Sequence, residues 1–187
     1  MTLHIKNMVC DRCIRVVHQQ LENLGLRVSD ITLGTAEVHP EPDEEQLGRL
    51  APALKDLGFE LISKDKDRLA ERIKNIIIEL VHHSNLSEPH MNIMRVIADR
   101  LNRDYAYLSR LFSENEDITI EKFIIRQKVE KIKELLQYGD LNLNEIAYKM
   151  GYSSSAHLSA QFKHITGLSP SRYRTAEKQE RKPLDKI

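Results

Sequence analysis

The sequence predicts two domains of different class, an α+β domain over residues 1–65 and an all-α domain over residues 66–177 with two helix-turn-helix units, then a flexible tail at 178–187. Three observations predict it. Apolar spacing in the first 65 residues switches between the period of a strand and that of a helix, whereas helical spacing dominates from residue 69 onward. Two segments, IADRLNRDYAYLSRLF at 97–112 and IAYKMGYSSSAHLSAQF at 146–162, form an imperfect internal repeat. The formal charge of zero conceals a division: Lys and Arg stand against Asp and Glu as 7 to 11 in residues 1–65 and as 21 to 17 in residues 66–187, giving net charges of −4 and +4. Such segregation fits two domains with different partners, although a solvated mixed surface produces it too. With 41% apolar residues, 187 residues bury one ordinary core or two small ones.

In residues 2–6, Leu3 and Ile5 alternate with polar neighbours, as in a strand. A loop carrying Cys10 and Cys13, the only two cysteines, follows. Ile14, Val17, Leu21 and Leu24 recur at helical spacing, and Gly25 stops that helix. Strands at 28–33 and 37–39 flank a turn at Gly34 and Thr35. A second helix at 43–57 carries Leu47, Leu50 and Leu54 on one stripe and acids in its first turn, where they complement the helix end. Gly58 ends it, and 59–62 is the last strand. Strand, helix, strand, strand, helix, strand puts two helices on one face of an antiparallel sheet, the ferredoxin-like βαββαβ arrangement.

Within that order, Asn7-Met8-Val9-Cys10-Asp11-Arg12-Cys13, with Leu57-Gly58-Phe59 near the end, resembles the heavy-metal-associated domain of copper chaperones and metal-pumping ATPases. Glycine and threonine are common in that family where Asn7 and Val9 stand, and Asp11 adds a charge between the thiols. The resemblance implies Cys10 and Cys13 as metal ligands. Two thiolates grip Cu(I) nearly linearly, whereas Zn²⁺ takes further ligands. So short a spacing makes a poor structural staple, and a reduced, accessible pair is expected. Metal binding, thiol sensing and a role in folding or dimerisation all stay open for this domain. Met8 and Phe59 read as packing residues; His4, His18 and His39 read as ordinary imidazoles.

Residues 63–67 read as a short polar linker. Leu69, Ile73, Ile76, Ile77 and Leu80 predict a helix over 69–81, after which His82-His83-Ser84-Asn85 and Ser87-Glu88-Pro89 read as loop and restart signals, the histidines lying at the surface or helix end. Each repeat segment then has the anatomy of a helix-turn-helix. Ala98 and Ala147 let a second helix cross closely, while Leu108 with Phe112 and Leu158 with Phe162 anchor that helix in the core. Asn102 and Gly151 supply the two turns. Asn142 and Glu145 form a capping box, and Ser153 or Ser154 caps the next helix. Between the copies, 120–137 is a helix without a breaker, a stiff spacer matched to one duplex turn of about 34 Å, so that two recognition helices enter successive major grooves of double-stranded DNA.

The stretch from 67 to 177 resembles the DNA-binding domain of AraC-type transcriptional regulators, above all in the run from Leu143 through Gly151 to Phe162 and then Thr166-Gly167-Leu168-Ser169-Pro170-Ser171-Arg172-Tyr173. Gly167 ends the recognition helix, Ser169 caps the next and Pro170 suits its first position. The glycine usual near Asp117 is absent, so Asn115 or Asp117 must supply that turn. The first reader spans 104–112 with Arg103, Tyr105, Tyr107 and Arg110 outward; the second presents Ser154, Ser155, His157, Ala160 and Gln161. Arg103, Arg110, Lys149 and Lys163, with Arg172 and Arg174, are the expected phosphate contacts. Arg suits guanine, Gln adenine and Ala a thymine methyl, while Ser discriminates little. The second surface is short-chained and uncharged, which favours fit to DNA shape over base discrimination.

Neither an 18-residue apolar run nor a basic start with an apolar stretch occurs, so a cytoplasmic protein without membrane contact is expected. With no thiol paired to a base and no phosphate-gripping glycine loop, an enzyme is not expected. The expected function is a sequence-specific DNA-binding transcriptional regulator, needing no cofactor to bind DNA and responding to Cu(I), Zn²⁺ or thiol state through the Cys10/Cys13 loop, with a homodimer as its assembly. The competing expectation is a cytosolic metal carrier whose helical region docks a partner.

Overall fold

The computed structural model describes residues 1–63, 65–84, 86, 92–176 and 181–187. The chain divides into two compact units, Met1–Asn75 and Ile76–Ile187.

The first unit runs β1 (Thr2–Lys6), α1 (Asp11–Asn23), β2 (Arg27–Thr32), β3 (Thr35–His39), α2 (Glu44–Asp56) and β4 (Glu60–Leu61). Its strands form one sheet in the order β2-β3-β1-β4, and every neighbouring pair is antiparallel. Alternation along the strands puts Leu3, Ile5, Ala36 and Val38 in one core with Val17 and Leu21 of α1 and Leu50 and Leu54 of α2. Met8 is buried in that core as well. The hairpin turn falls on Leu33 and Gly34, one residue earlier than the spacing predicts, because Thr35 already pairs with Thr32. Gly34 has φ +89°, and a Cβ there would collide with the Asn75 amide, whose Nδ2 donates to the Leu33 carbonyl at 3.1 Å. At the start of α2, Asp43 and Gln46 close a reciprocal capping box.

The expected linker is corrected: Asp65 and Asp67 lie in the first turn of α3 (Asp65–Ile78), where their charge complements the helix dipole. Glu71 of α3 accepts the Asn7 backbone N–H at 2.9 Å, and with the Asn75 bond this attaches residues 65–75 to the first unit. The division therefore falls after Asn75, not after residue 65. Contacts spanning 64 and 42 residues leave no mark in local periodicity, which is why the expected boundary came early.

In the second unit a π-helical turn, Glu79–His83, leads on from α3; α4 (Ile93–Leu101), α5 (Tyr105–Glu116), α6 (Ile120–Tyr138), α7 (Leu143–Lys149), α8 (Ser155–Thr166) and α9 (Pro170–Thr175) follow. His82 lies at the helix end, as expected, but is half-buried: its Nε2 meets Gln127 Oε1 at 2.8 Å, and burial pushes its pKa down to about 4. His83 is exposed. The restart signal at Ser87-Glu88-Pro89 lies outside the described residues.

The duplication extends well beyond the two segments seen in the sequence. The caps Asn92, Asp104, Asp117 and Thr119 recur fifty residues on as Asn142, Ser154, Gly167 and Ser169. Asn102 and Asp117 adopt the left-handed conformation, as Gly151 and Gly167 do in the second copy. The ring pairs recur too: Phe112 meets Phe123 edge-on at 5.7 Å, and Phe162 meets Tyr173 edge-on at 5.5 Å. Helix α6, which supplies Phe123, Ile132 and Leu136 to the core, lies between the copies in sequence and packs on α5, α8 and α9.

The flexible tail expected at 178–187 is corrected for its described part. Residues 181–187 are held on α6: Arg181 pairs with Glu134 at 2.8 Å, the Lys182 N–H donates to Glu130 at 3.1 Å, and Gln127 Nε2 donates to the Leu184 carbonyl at 3.3 Å. Among the described residues no helix is long and apolar enough to cross a membrane.

Candidate nucleic-acid interface

Each candidate reading helix starts from a side-chain cap. Asp104 Oδ1 accepts the Tyr107 N–H at 3.1 Å, and Ser154 Oγ accepts the His157 N–H at 3.1 Å. Four residues after each cap comes an inward anchor, Leu108 or Leu158, and one turn further come Leu111 with Phe112 or Phe162. That spacing leaves Ala106, Tyr107 and Arg110 exposed on α5 and Ala156, His157 and Ala160 exposed on α8. Ala160 was singled out from the sequence but Ala106 and Ala156 were not; their shared offset from each cap would have found them.

Several expected contact residues lie at the surface, Arg103 with its Nη1 donating to the Asn102 carbonyl at 3.2 Å. Arg103, Tyr107, Arg110, Lys149, Lys163 and Arg172 are exposed. Lys149 sits in the last turn of α7, and Arg172 follows the Ser169 cap of α9. Others are engaged within the protein. Tyr105 does not face outward freely: it donates to Glu121 Oε1 at 2.6 Å, its own pKa is pushed up by burial and by that carboxylate, and the bond holds the Glu121 carboxyl below the usual range. Arg174 donates to the Leu141 carbonyl at 2.8 Å, a tie between α9 and the start of the second copy. Gln161 Oε1 accepts from the Tyr152 hydroxyl at 2.6 Å, which fixes its amide while leaving the Nε2 hydrogens. His157 stacks edge-on against Tyr152, and its Nδ1 lies 3.2 Å from Ser153 Oγ. Ser154 spends its oxygen on the cap, and Ser155 is half-buried at the first position.

From the left-handed residue to the next cap the second turn, Gly151 to Ser154, is one residue longer than the first, Asn102 to Asp104, and Tyr152 occupies it. Lys128 of α6, which the sequence shows only as one of that helix's positive charges, donates to the Met150 carbonyl at 2.9 Å and lies over the Tyr152 ring at 5.1 Å. Burial lowers the Lys128 pKa and raises that of Tyr152 to about 12. Through this lysine the spacer helix grips the turn that aims α8.

The thiol loop of the first unit puts Cys10 at the N-cap of α1 and Cys13 in its first turn, with the sulfur atoms 3.5 Å apart. Partial burial raises the Cys10 thiol, but the N–H of Cys13, the Cys13 thiol and Arg12 outweigh it and hold the pKa below the ordinary value; burial leaves Cys13 above it. Among the described residues no group of three or more His, Cys, Asp or Glu side chains converges on one point. Two sulfurs alone suit a soft ion with two ligands. They do not complete the tetrahedral set that Zn²⁺ takes.

Residues 97–176 match the family model described as a helix-turn-helix domain. The Msm operon regulatory protein of Streptococcus mutans is 29% identical over 100 residues, which are 54% of this chain and 35% of that protein. The uncharacterized HTH-type transcriptional regulator YtdP of Bacillus subtilis is 29% identical over 108 residues, 58% of this chain and 14% of that protein. The chain thus spans about a third of the first relative and a much smaller part of the second. Among solved structures, the C-terminal domain of AraT, a response regulator from Geobacillus stearothermophilus, is 27% identical with a TM-score of 0.46, covering 63% of this chain and 93% of that one.

Proposed function

We propose that the helix-turn-helix domain at residues 97–176 is of AraC type and that this chain is a sequence-specific DNA-binding transcriptional regulator, acting in the cytoplasm on double-stranded DNA. One observation carries the reading: two copies of a capped helix present the same three outward positions, 106, 107 and 110 against 156, 157 and 160, and both are braced on a single uninterrupted helix, α6. Relatives named as regulators support a regulatory rather than an enzymatic role. Arg110 and Tyr107 are the base readers of the first helix, His157, Ala160 and Gln161 those of the second, and Arg103, Lys149, Lys163 and Arg172 hold phosphates.

The first unit, of ferredoxin-like and heavy-metal-associated type on its element order and thiol loop, is the input domain. Cys10 and Cys13 would hold Cu(I) in preference to Zn²⁺, and the ion or the thiol state would act by favouring one arrangement or assembly, a homodimer included. The test is selection of bound duplexes from a random pool by the full chain, repeated with Arg110→Ala, then with Cu(I) and with Cys10→Ser/Cys13→Ser. Enrichment of a shared sequence that R110A relaxes supports the reading; equal binding of all duplexes overturns it. Occupancy unmoved by Cu(I) and by loss of both thiols rejects the metal input alone. The sulfur pair also favours a second reading, a metal carrier docking through its helices, which metal transfer without sequence-selective DNA binding would support.

A further inference from the structure

A cavity of about 580 Å³ opens in the second unit between α6, the end of α8, α9 and residues 181–187. Its size lies within the range of small-molecule sites, roughly 300–1,000 Å³. The lining decides what it suits. Arg126, Lys133, His164, Lys182 and Lys186 contribute five basic or imidazole groups, against one described carboxylate side chain, Glu130. That carboxylate is already neutralised: Lys133 Nζ donates to its Oε1 at 2.7 Å and the Lys182 backbone N–H to its Oε2 at 3.1 Å. The side chains of Arg126, His164, Lys182 and Lys186 have no hydrogen-bond or ion-pair partner among the described residues. Beside them the lining is largely apolar, with Val129, Ile165, Leu168, Tyr173 and Ile187, and Ile165 and Leu168 stay 45% and 39% exposed.

We infer that this cavity binds a small amphipathic organic anion, one carboxylate or sulfonate on a hydrocarbon or aromatic body. Unpaired cations in a partly enclosed site attract an anion more strongly than they would on an open face. An inorganic anion, or the phosphate backbone of a nucleic acid, leaves Ile165 and Leu168 uncovered, whereas an attached apolar body removes their surface from water. A neutral hydrocarbon leaves the cations unmatched. Only a ligand with both parts uses both kinds of lining residue. His164, Ile165 and Thr166 form the last turn of α8, so the occupant rests against the end of the second candidate reading helix. The site stands on its own lining and does not depend on DNA binding.

The test uses the full chain and the fluorescent probe 8-anilinonaphthalene-1-sulfonate, with octanoate, octanol and inorganic phosphate as competitors. Saturable one-to-one binding is expected, with octanoate displacing the probe at a concentration at least tenfold lower than octanol or phosphate. Lys182→Glu/Lys186→Glu should weaken the probe at least tenfold without moving the urea midpoint, because no described contact of residues 181–187 runs through either side chain. Ile165→Glu, at an exposed position, should cause a comparable loss from the apolar side and keeps the test open if the charge reversal perturbs folding. Unsaturable binding, equal displacement by octanol or phosphate, or an affinity unmoved in Ile165→Glu overturns the assignment.

Discussion

Removing the Tyr105 hydroxyl and removing the Arg110 guanidinium should have opposite consequences, although both residues lie on α5. Tyr105→Phe breaks the 2.6 Å bond to Glu121 and should lower stability by about 1 kcal/mol in urea denaturation, with specific DNA affinity within twofold of the parent. Arg110→Ala touches no internal partner that the structure shows; stability should hold within about 0.5 kcal/mol while specific affinity falls by roughly 1–3 kcal/mol. A loss of DNA affinity in Tyr105→Phe as large as in Arg110→Ala would return Tyr105 to the reading surface. His82 makes a pH prediction. Its folded pKa of about 4 lies below its unfolded value, so between pH 6.5 and 4 the unfolded chain binds more protons and stability must fall as pH falls. The loss should approach roughly 3 kcal/mol. His82→Gln keeps a donor for Gln127 without a titrating ring, and urea midpoints at pH 7 and pH 5 should then lose most of their difference attributable to this site.

At the scale of elements, the two inter-helix turns solve one problem with different residues, and substitution separates them. Gly151 has φ +68°, and a Cβ there would stand 3.1 Å from the Leu86 carbonyl, so Gly151→Ala should cost about 1–2 kcal/mol or more, measured by thermal or urea unfolding. Asn102 takes the same left-handed conformation with open solvent beside it, and Asn102→Gly should change stability by only a few tenths of a kcal/mol. Equal losses at the two positions would show that backbone conformation is not what Gly151 supplies. Both turns were legible in the sequence, as were the caps Asn142, Ser154 and Ser169 and the boundaries of α6 to within a residue, because such signals are local: a cap needs only its own first turn and a core stripe only its own period. What stayed hidden was made by partners distant in sequence. Glu71 belongs to the first unit through Asn7, His82 is bonded to Gln127, Arg174 is taken up by Leu141, and residues 181–187 are held by Gln127, Glu130 and Glu134. The candidate site was legible as a set of helix positions; which of its side chains had internal partners was not.

At the scale of the whole molecule the proposed DNA reading becomes a demand on geometry. Helix α6 has 19 residues, about 28 Å of unbroken helix at 1.5 Å per residue, and Lys128 ties it to the turn that aims α8. A spacer of that kind cannot follow a change in operator geometry as a flexible linker would. Two readers on one face of a duplex require half-sites one turn, about 34 Å, apart. Five base pairs inserted between the half-sites of a selected operator turn the second groove to the far side of the duplex, and specific affinity should fall to that of a single half-site. Ten inserted base pairs restore the face but add roughly another 34 Å of separation, so affinity should stay low. A flexibly tethered pair would recover much of its binding in the ten-pair operator through effective concentration. Electrophoretic or anisotropy titrations of the three operators at one salt concentration distinguish the cases, and full recovery at ten base pairs would contradict α6 as a rigid gauge between the two readers.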